Sequence, residues 1–242
     1  MYELTTSHKV TSVHIAGACR GRLGILGLEE RRNREKERRR ETILKAARRD
    51  FMKKGFKAVT VDAIAQRAQL SKGAIYLYFK SKEEIYAQVL IRDIEKFHDH
   101  VADIFHGGDS ASEVLTRFAR IYTDFFLNER ELFRILMAFM VQPNPLNISE
   151  QINDHIIRNT NKTIGIIERI FQYGIEKGEF PGCRNIRQCR NALWGLLNGI
   201  IALHLFTGRE ETREERIRST ISGGLDVFLR GLTTNQETDS KS

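Results

Sequence analysis

The chain has 242 residues, a formal net charge of +8 and a pI near 9.5. That length is enough for a small domain plus a larger core, and the basic balance favours a polyanionic partner. Three scattered cysteines (Cys19, Cys183 and Cys189) argue against a disulfide framework and for a reducing compartment; no apolar run reaches a membrane span, and no signal-peptide order is visible, so a cytoplasmic protein without a membrane partner is expected.

In chain order, residues 1–28 show no periodicity, and glycines at 17, 21, 24 and 27 disfavour a helix. The stretch reads either as a disordered tail or as the product of an upstream start codon, and residues 1–33 together are expected to be a disordered extension. Residues 29–40, EERRNREKERRR, are a mixed but basic charge run. They fit a solvated extension of the first helix, or a basic arm that follows a DNA backbone or enters a minor groove.

The stretch from Thr60 to Lys82 is the most informative. Thr60 can cap a helix whose apolar face is Val61, Ile64, Ala65 and Ala68, and Ser71 can cap the next. Leu70, Ile75 and Phe79 are expected to point inward, while Gly73 leaves room for another backbone. Lys72 and Gly73 then occupy the helix tip, where helix-turn-helix proteins touch base edges. Tyr76, Tyr78, Lys80 and Lys82 offer hydroxyls and charges to phosphate oxygens at the outer edge. Ser81 and Glu84 predict a capping box opening a third, longer helix, whose free N–H groups form another anion site.

Over about residues 38–88 the chain resembles the N-terminal domain of TetR-family transcriptional repressors, through TILKAARRDFMKKGF, TVDAIAQRA and SKGAIYLYFKSKEEI. Ser71, Gly73, Tyr76, Phe79 and Lys82 stand at that family's characteristic spacing. The resemblance implies that Thr60, Ser71, Lys72, Gly73, Ala74, Tyr76, Tyr78 and Lys82 lie at or near DNA. Position 78 is histidine in many members and tyrosine here.

Beyond Ser81 the periodicity predicts helices over about 82–105, 112–127, 129–141, 149–177, 186–207 and 212–232, then a disordered polar tail at 234–242. Pro143 and Pro145 break the chain between the third and fourth of these. NALWGLLNGIIALHLF is apolar nearly all round, so it must be buried on most faces. With small residues Gly195, Gly199 and Ala202, and with Ile221, Leu225 and Phe228 on the last helix, it reads as a homodimer seam. The resemblance implies the same, a four-helix bundle of the last two helices of each protomer. The middle helices are rich in Phe and Met, first of all as core. The resemblance adds an effector cavity there, for which Phe97, Ile121, Phe125, Phe133, Met137, Phe171 and Tyr173 are the candidates.

Two weaker signals remain. Asp99, Asp103 and His106, with His100, fall at helical spacings that could chelate a metal or simply form a solvated face. Cys183 and Cys189 flank a helix start, where low-pKa thiols could act as a redox switch or be unreactive. No phosphate-binding glycine loop, dinucleotide motif or zinc-protease motif is visible, and neither enzyme activity nor a metal or other cofactor is expected.

The expectation is an all-α protein. A three-helix helix-turn-helix domain spans 34–82, and a larger helical ligand-binding and dimerisation domain spans 83–233. Its partners would be double-stranded DNA, a second copy and a small-molecule effector. A metal- or redox-responsive regulator of the same fold, or a helical interaction protein with a vestigial helix-turn-helix, are the alternatives.

Overall fold

The computed structural model describes residues 15–205 and 210–234, with side chains from residue 29 onward. All regular structure among them is helical. A small head holds α1 (Ile15–Lys54), α2 (Val61–Ala68) and α3 (Lys72–Tyr76). The body holds α4 (Lys82–Val101), α5 (Ala111–Asn128), α6 (Arg130–Val141), α7 (Glu150–Glu176), α8 (Ile186–Leu205) and α9 (Arg213–Thr233).

The predicted caps organise the head. The Thr60 hydroxyl accepts from the Ala63 N–H at 3.2 Å, and Ser71 accepts from Ala74 at 3.1 Å. Between α2 and α3, Gln69 turns the chain in the left-handed region at φ 58°, and Leu70 N–H donates to Ala65 O at 2.9 Å. Ile43, Ala47, Phe51, Ile64, Ile75 and Phe79 close the small core that fixes α3 against α1 and α2. Arg67 donates twice to Asp50, at 2.7 and 2.8 Å, and holds that buried carboxyl below the usual carboxylate range. The same core runs without a break along α4 through Tyr86, Leu90, Ile94 and Phe97 into the body.

Three expectations need correction. Helix α1 starts at Ile15 and is 40 residues long, so residues 15–33 are helical and not disordered. Extending an existing helix avoids the nucleation cost, which offsets the propensity penalty of about 1 kcal/mol at each glycine. The capping box at Ser81 is only half made: Ser81 accepts from Glu84 N–H at 3.1 Å, but the Glu84 carboxylate reaches past it to the Lys80 N–H at 2.7 Å. The complete box lies at Ser110 and Glu113, opening α5. Finally, α4 stops at Val101, short of residue 105; the Arg117 guanidinium takes up the Ile104 carbonyl at 2.7 Å and Asp109 at 2.7 Å. Residues 1–14, the end of the predicted 186–207 helix and residues 235–242 lie outside the described residues.

In the body, α8 packs on α9 and α7, and α4 lies along α7. The α7–α8 connection depends on a left-handed glycine and on one close backbone approach. Gly178 ends α7 at φ +71°, as a left-handed helix stop requires. Gly182 donates its N–H to Leu232 O at 2.8 Å and approaches α9 so closely that a Cβ there would stand 2.2 Å from Gly231 O.

Candidate nucleic-acid interface and effector cavity

The head exposes one edge. Thr60, Ser71, Lys72, Gly73, Tyr76 and Lys80 are exposed, and Ala74 and Tyr78 are half-buried. The structure therefore exposes six of the nine candidate DNA residues on a rigid three-helix unit and leaves Ala74, Tyr78 and Lys82 half-buried at its edge. Ile75 and Phe79, at 0% and 1% exposure, supply the rigidity. The Lys72 ammonium pairs with Asp62 at 2.8 Å across the α2–α3 tip, which raises its pKa. Leu77, unassigned by the sequence, is 81% exposed on this edge and is its most exposed large apolar side chain. Its signal was an apolar residue between two tyrosines with no apolar partner at helical spacing.

Lys82 behaves differently. Its ammonium donates to the carbonyls of Phe56 at 3.1 Å and Val59 at 3.0 Å and sits 4.2 Å from the centre of the Phe56 ring. It pins the α1–α2 loop to the start of α4. Of its three donors one remains for a phosphate.

A charged layer joins head to body; its members are too far apart in the chain to leave a local sign. Arg48 of α1 donates to Asp93 of α4 at 2.7 Å and pairs with Glu129 at the α5–α6 junction. Glu131 in the first turn of α6 accepts from the Tyr86 hydroxyl at 3.0 Å and from the Phe56 N–H at 3.4 Å. Burial pushes the Glu131 carboxyl up, but Arg134, Tyr86 and the Phe56 N–H outweigh it and hold the group below its usual range.

Above this layer lies an apolar cavity of about 20 Å³ between α4, α5, α6, α7 and α8. It is walled by Ile94, Phe97, Tyr122, Phe125, Phe126, Leu132, Leu136, Thr160, Thr163 and Trp194, none of them charged. That volume holds about one water-sized probe. Of the seven pocket candidates, Phe97 and Phe125 are among these wall residues. The other candidates are not. Phe133 is fully buried one ring behind the wall, 5.4 Å from Phe126, and Met137 is half-buried off the cavity. Ile121 faces an outer groove with Arg48 and His100. Phe171 packs on Phe180 and Phe228 in the distal core. The Tyr173 hydroxyl donates to Asp109 O at 2.7 Å. Core and cavity wall use the same residue types at the same spacing, so only the helix arrangement separates them. The sequence also missed the polar members. Tyr122 donates to Asn198 at 2.8 Å, and Thr163 meets His98 Nε2 at 3.1 Å. One turn before Thr163 on α7, Asn159 is fully buried with neither amide atom hydrogen-bonded among the described residues.

On α8, Gly195 and Gly199 are exposed, and a Cβ at either would meet nothing within 4 Å. With Leu203 at 59% and Val227 of α9 at 71% exposure they form an open apolar face. Ala202 is half-buried beside it. Ile221 and Leu225, expected at the seam, are buried within the protomer at 5% and 4% exposure, and Phe228 packs on Phe171. An inward stripe and a partner stripe look alike in sequence, and α9 turns its larger side chains toward its own α5 and α8.

Among the described residues no three His, Cys, Asp or Glu side chains gather to hold a metal ion; Asp99, Asp103 and His106 are all exposed. The Cys183 thiol is pushed up by burial and by its hydrogen bond with Cys189, opposite to an activated thiol. No helix among the described residues is long and apolar enough to cross a membrane.

An all-helical body carrying a helix-turn-helix head with an exposed recognition edge is the architecture of a DNA-binding regulator. Residues 43–89 match the family described as bacterial regulatory proteins, tetR family. The chain is 38% identical over 203 residues to the HTH-type transcriptional regulator TtgR of Pseudomonas putida, covering 81% of this chain and 95% of that one. It is 35% identical over 206 residues to the HTH-type transcriptional regulator YhgD of Bacillus subtilis, covering 81% and 98%. The chain belongs to the TetR family of DNA-binding transcriptional regulators, and this is not a family of enzymes. A crystal structure of the regulator FadR from Bacillus subtilis, in complex with stearoyl-CoA, shares the fold at a TM-score of 0.63 and 19% identity, covering 79% of this chain and 98% of that one.

Proposed function

We propose that the protein is a cytoplasmic repressor that binds a palindromic operator as a homodimer and leaves it when a small, mostly apolar effector enters the body. The observation that carries this reading is the double role of α6. Leu132 and Leu136 wall the cavity, while Glu129 and Glu131 at the N-terminal end of the same helix hold α1, α4 and the α1–α2 loop. An effector larger than the present cavity must displace α6 or its neighbours, and a displaced α6 moves the charged layer under the head. The two recognition edges of a dimer would then no longer match major grooves about 34–36 Å apart. The effector shifts this equilibrium only by its preference for the displaced state.

The homodimer reading rests on the open α8–α9 face, whose glycines allow close backbone approach to a symmetry mate. In the operator complex Lys72, Gly73 and Ala74 would face base edges, and Thr60, Ser71, Tyr76, Tyr78, Lys80 and the spare donor of Lys82 would face phosphates. The effector is an uncharged compound with one group that both donates and accepts hydrogen bonds. The cavity wall carries no charge; Tyr122, Thr160 and Thr163 are its polar members, and the unpaired amide of Asn159 is buried next to Thr160 on α7, behind the wall. A second reading, a fatty acyl thioester, is favoured by the groove outside α4 and α7, where Lys162 and Arg169 could meet phosphates.

The test is operator release across neutral aromatic compounds, acyl thioesters, divalent metals and oxidants, on a duplex that the protein selects from a random library. Release by neutral compounds, weakened by Asn159→Leu, supports the first reading. Release by acyl thioesters, weakened by changing Lys162 and Arg169, supports the second. Release by metal or oxidant alone overturns both.

A further inference from the structure

The N-terminal half of α1 has no use in the regulator described so far. From Glu29 to Arg39 every side chain is exposed, and none of them belongs to the buried core of the described residues. These residues form a helical rod that projects roughly 16 Å beyond Arg40. The stretch is continuous with the packed part of the 40-residue α1, so it needs no nucleus of its own. Two ion pairs of its own support it, Arg34 with Glu30 at 3.3 Å and Arg39 with Glu35 at 2.9 Å. They leave Arg31, Arg32, Lys36 and Arg38 without an ion pair among the described residues. Residues 29–40 hold seven cations against four carboxylates.

The direction of these charges follows from the rest of α1. The inward stripe of the helix runs back from Phe51 through Ala47 and Ile43 to Arg40, in steps of three and four. Arg40 lies over the Phe79 ring at 5.4 Å and donates to Gln88 of α4 at 2.7 Å. It is therefore seated at the C-terminal end of the recognition segment, next to Tyr78 and Lys80. The same stripe, continued in steps of four, gives Lys36 and Arg32. These two project past the head on the side where Tyr78 and Lys80 lie.

We propose that residues 29–39 of α1 form a DNA-backbone arm, in which Arg32 and Lys36 neutralise phosphates flanking the half-site that the recognition edge reads. The charge complements a duplex, and the surface continues the recognition edge. The arm adds affinity and footprint without adding base specificity, because it offers cations to phosphates alone. The inference rests on the operator-binding reading above, and the experiment separates the two.

A duplex selected by the full-length protein is prepared in two forms, one trimmed to the palindrome and one with about ten extra base pairs on each side. Affinity is measured against salt for the natural protein and for the double variant Arg32→Gln, Lys36→Gln, with helical content checked by circular dichroism. The natural protein should bind the flanked duplex at least tenfold more tightly. Its log–log salt slope on that duplex should be steeper by roughly 0.9 for each added phosphate contact, about two per half-site. The variant should bind both duplexes as the natural protein binds the trimmed one. Equal binding of the two duplexes by the natural protein, or a flank preference retained by the variant, overturns the arm while leaving operator binding intact. Failure to select any palindrome removes the operator reading, and the arm falls with it.

Discussion

The proposed recognition edge and the proposed effector cavity are assembled from the chain in different ways. The edge draws on residues from Thr60 to Lys82, a run of 23 positions, and its geometry is set by caps and contacts between near neighbours. The cavity draws on residues from Ile94 to Trp194, on five helices. Its shape depends on how those helices pack, and no local hydrogen bond fixes it. A regulator benefits from this contrast. The part that reads DNA has to be rigid, while the part that answers an effector must have a second arrangement of similar free energy. The two parts meet in the layer of Arg48, Asp93, Glu129, Glu131 and Tyr86, through which, in the proposed mechanism, a movement of α6 would reach the head.

The sharpest break of that comparison is a body substitution that silences the head without touching it. Gly199→Arg puts a long charged side chain on the open face of α8, where a Cβ meets nothing within 4 Å in the protomer. Helical content and protomer stability should be unchanged. Light scattering should show loss of the dimer, and operator affinity should fall by about 10²–10⁴, the avidity lost when two sites cease to be linked. A variant that remains dimeric would move the seam off this face.

The same contrast explains what was legible in the sequence. Both head caps, Thr60 and Ser71, the inward set of Ile75 and Phe79, and the exposed Lys72–Tyr76 edge follow from residue type and spacing within one short stretch. The helices of the body were equally legible as periodic apolar runs, with ends shifted by a few residues. What the runs face was not. Phe133 and Phe125 have the same chemistry and lie eight positions apart, yet one is core and the other wall. Ile221 has the pattern of a partner contact and is buried in its own protomer. Lys82 was read as free for phosphate because spacing cannot show that two carbonyls more than twenty positions upstream come within reach.

A second test bears on the rigidity of the body. Gly182→Ala brings a Cβ to 2.2 Å from Gly231 O, a backbone atom that cannot rotate away. The expected cost is about 1–3 kcal/mol, read as a lower denaturation midpoint. Operator affinity of the folded fraction should stay near its natural value, since the strained contact lies at the far end of α7 and α9. A large loss of affinity at unchanged stability would mean that this end of the body also communicates with the head.

Lys82→Ala sharpens the boundary between edge and scaffold. If Lys82 is both a staple and a phosphate ligand, the variant should lose thermal stability, through the freed Phe56 and Val59 carbonyls, and also lose about one unit of salt slope per half-site. Lower stability with an unchanged slope would assign it to the scaffold alone. Tyr76→Phe is the companion measurement, because Tyr76 is half-exposed and its hydroxyl has no hydrogen-bond partner among the described residues. It should weaken binding modestly on every sequence and leave the melting temperature alone.

The smallest effect concerns the polar side of the cavity. His98 sits half-buried against α7, with its Nε2 3.1 Å from the Thr163 hydroxyl. Burial, and then the charge of Lys162, lower its pKa below 6.5, against weaker opposing pulls from the Asn159 carbonyl, Glu95 and Asp99. The folded state therefore disfavours the imidazolium. Below a pH of about 6.5 the unfolded chain binds the extra proton more readily than the folded one, so this site's contribution to stability is complete above that pH and is lost as the pH falls through it. His98→Gln removes the titration and keeps a group that can meet Thr163. Between about pH 7.5 and about pH 5 the natural protein should lose more stability than this variant, and the two should converge at the upper end. Effector binding should weaken over the same interval in the natural protein alone, because a charged His98 would pull Thr163, a cavity-wall residue, into a site that otherwise carries no charge. Parallel pH profiles for the two proteins would leave Thr163 as a polar feature of the cavity without a titrating neighbour.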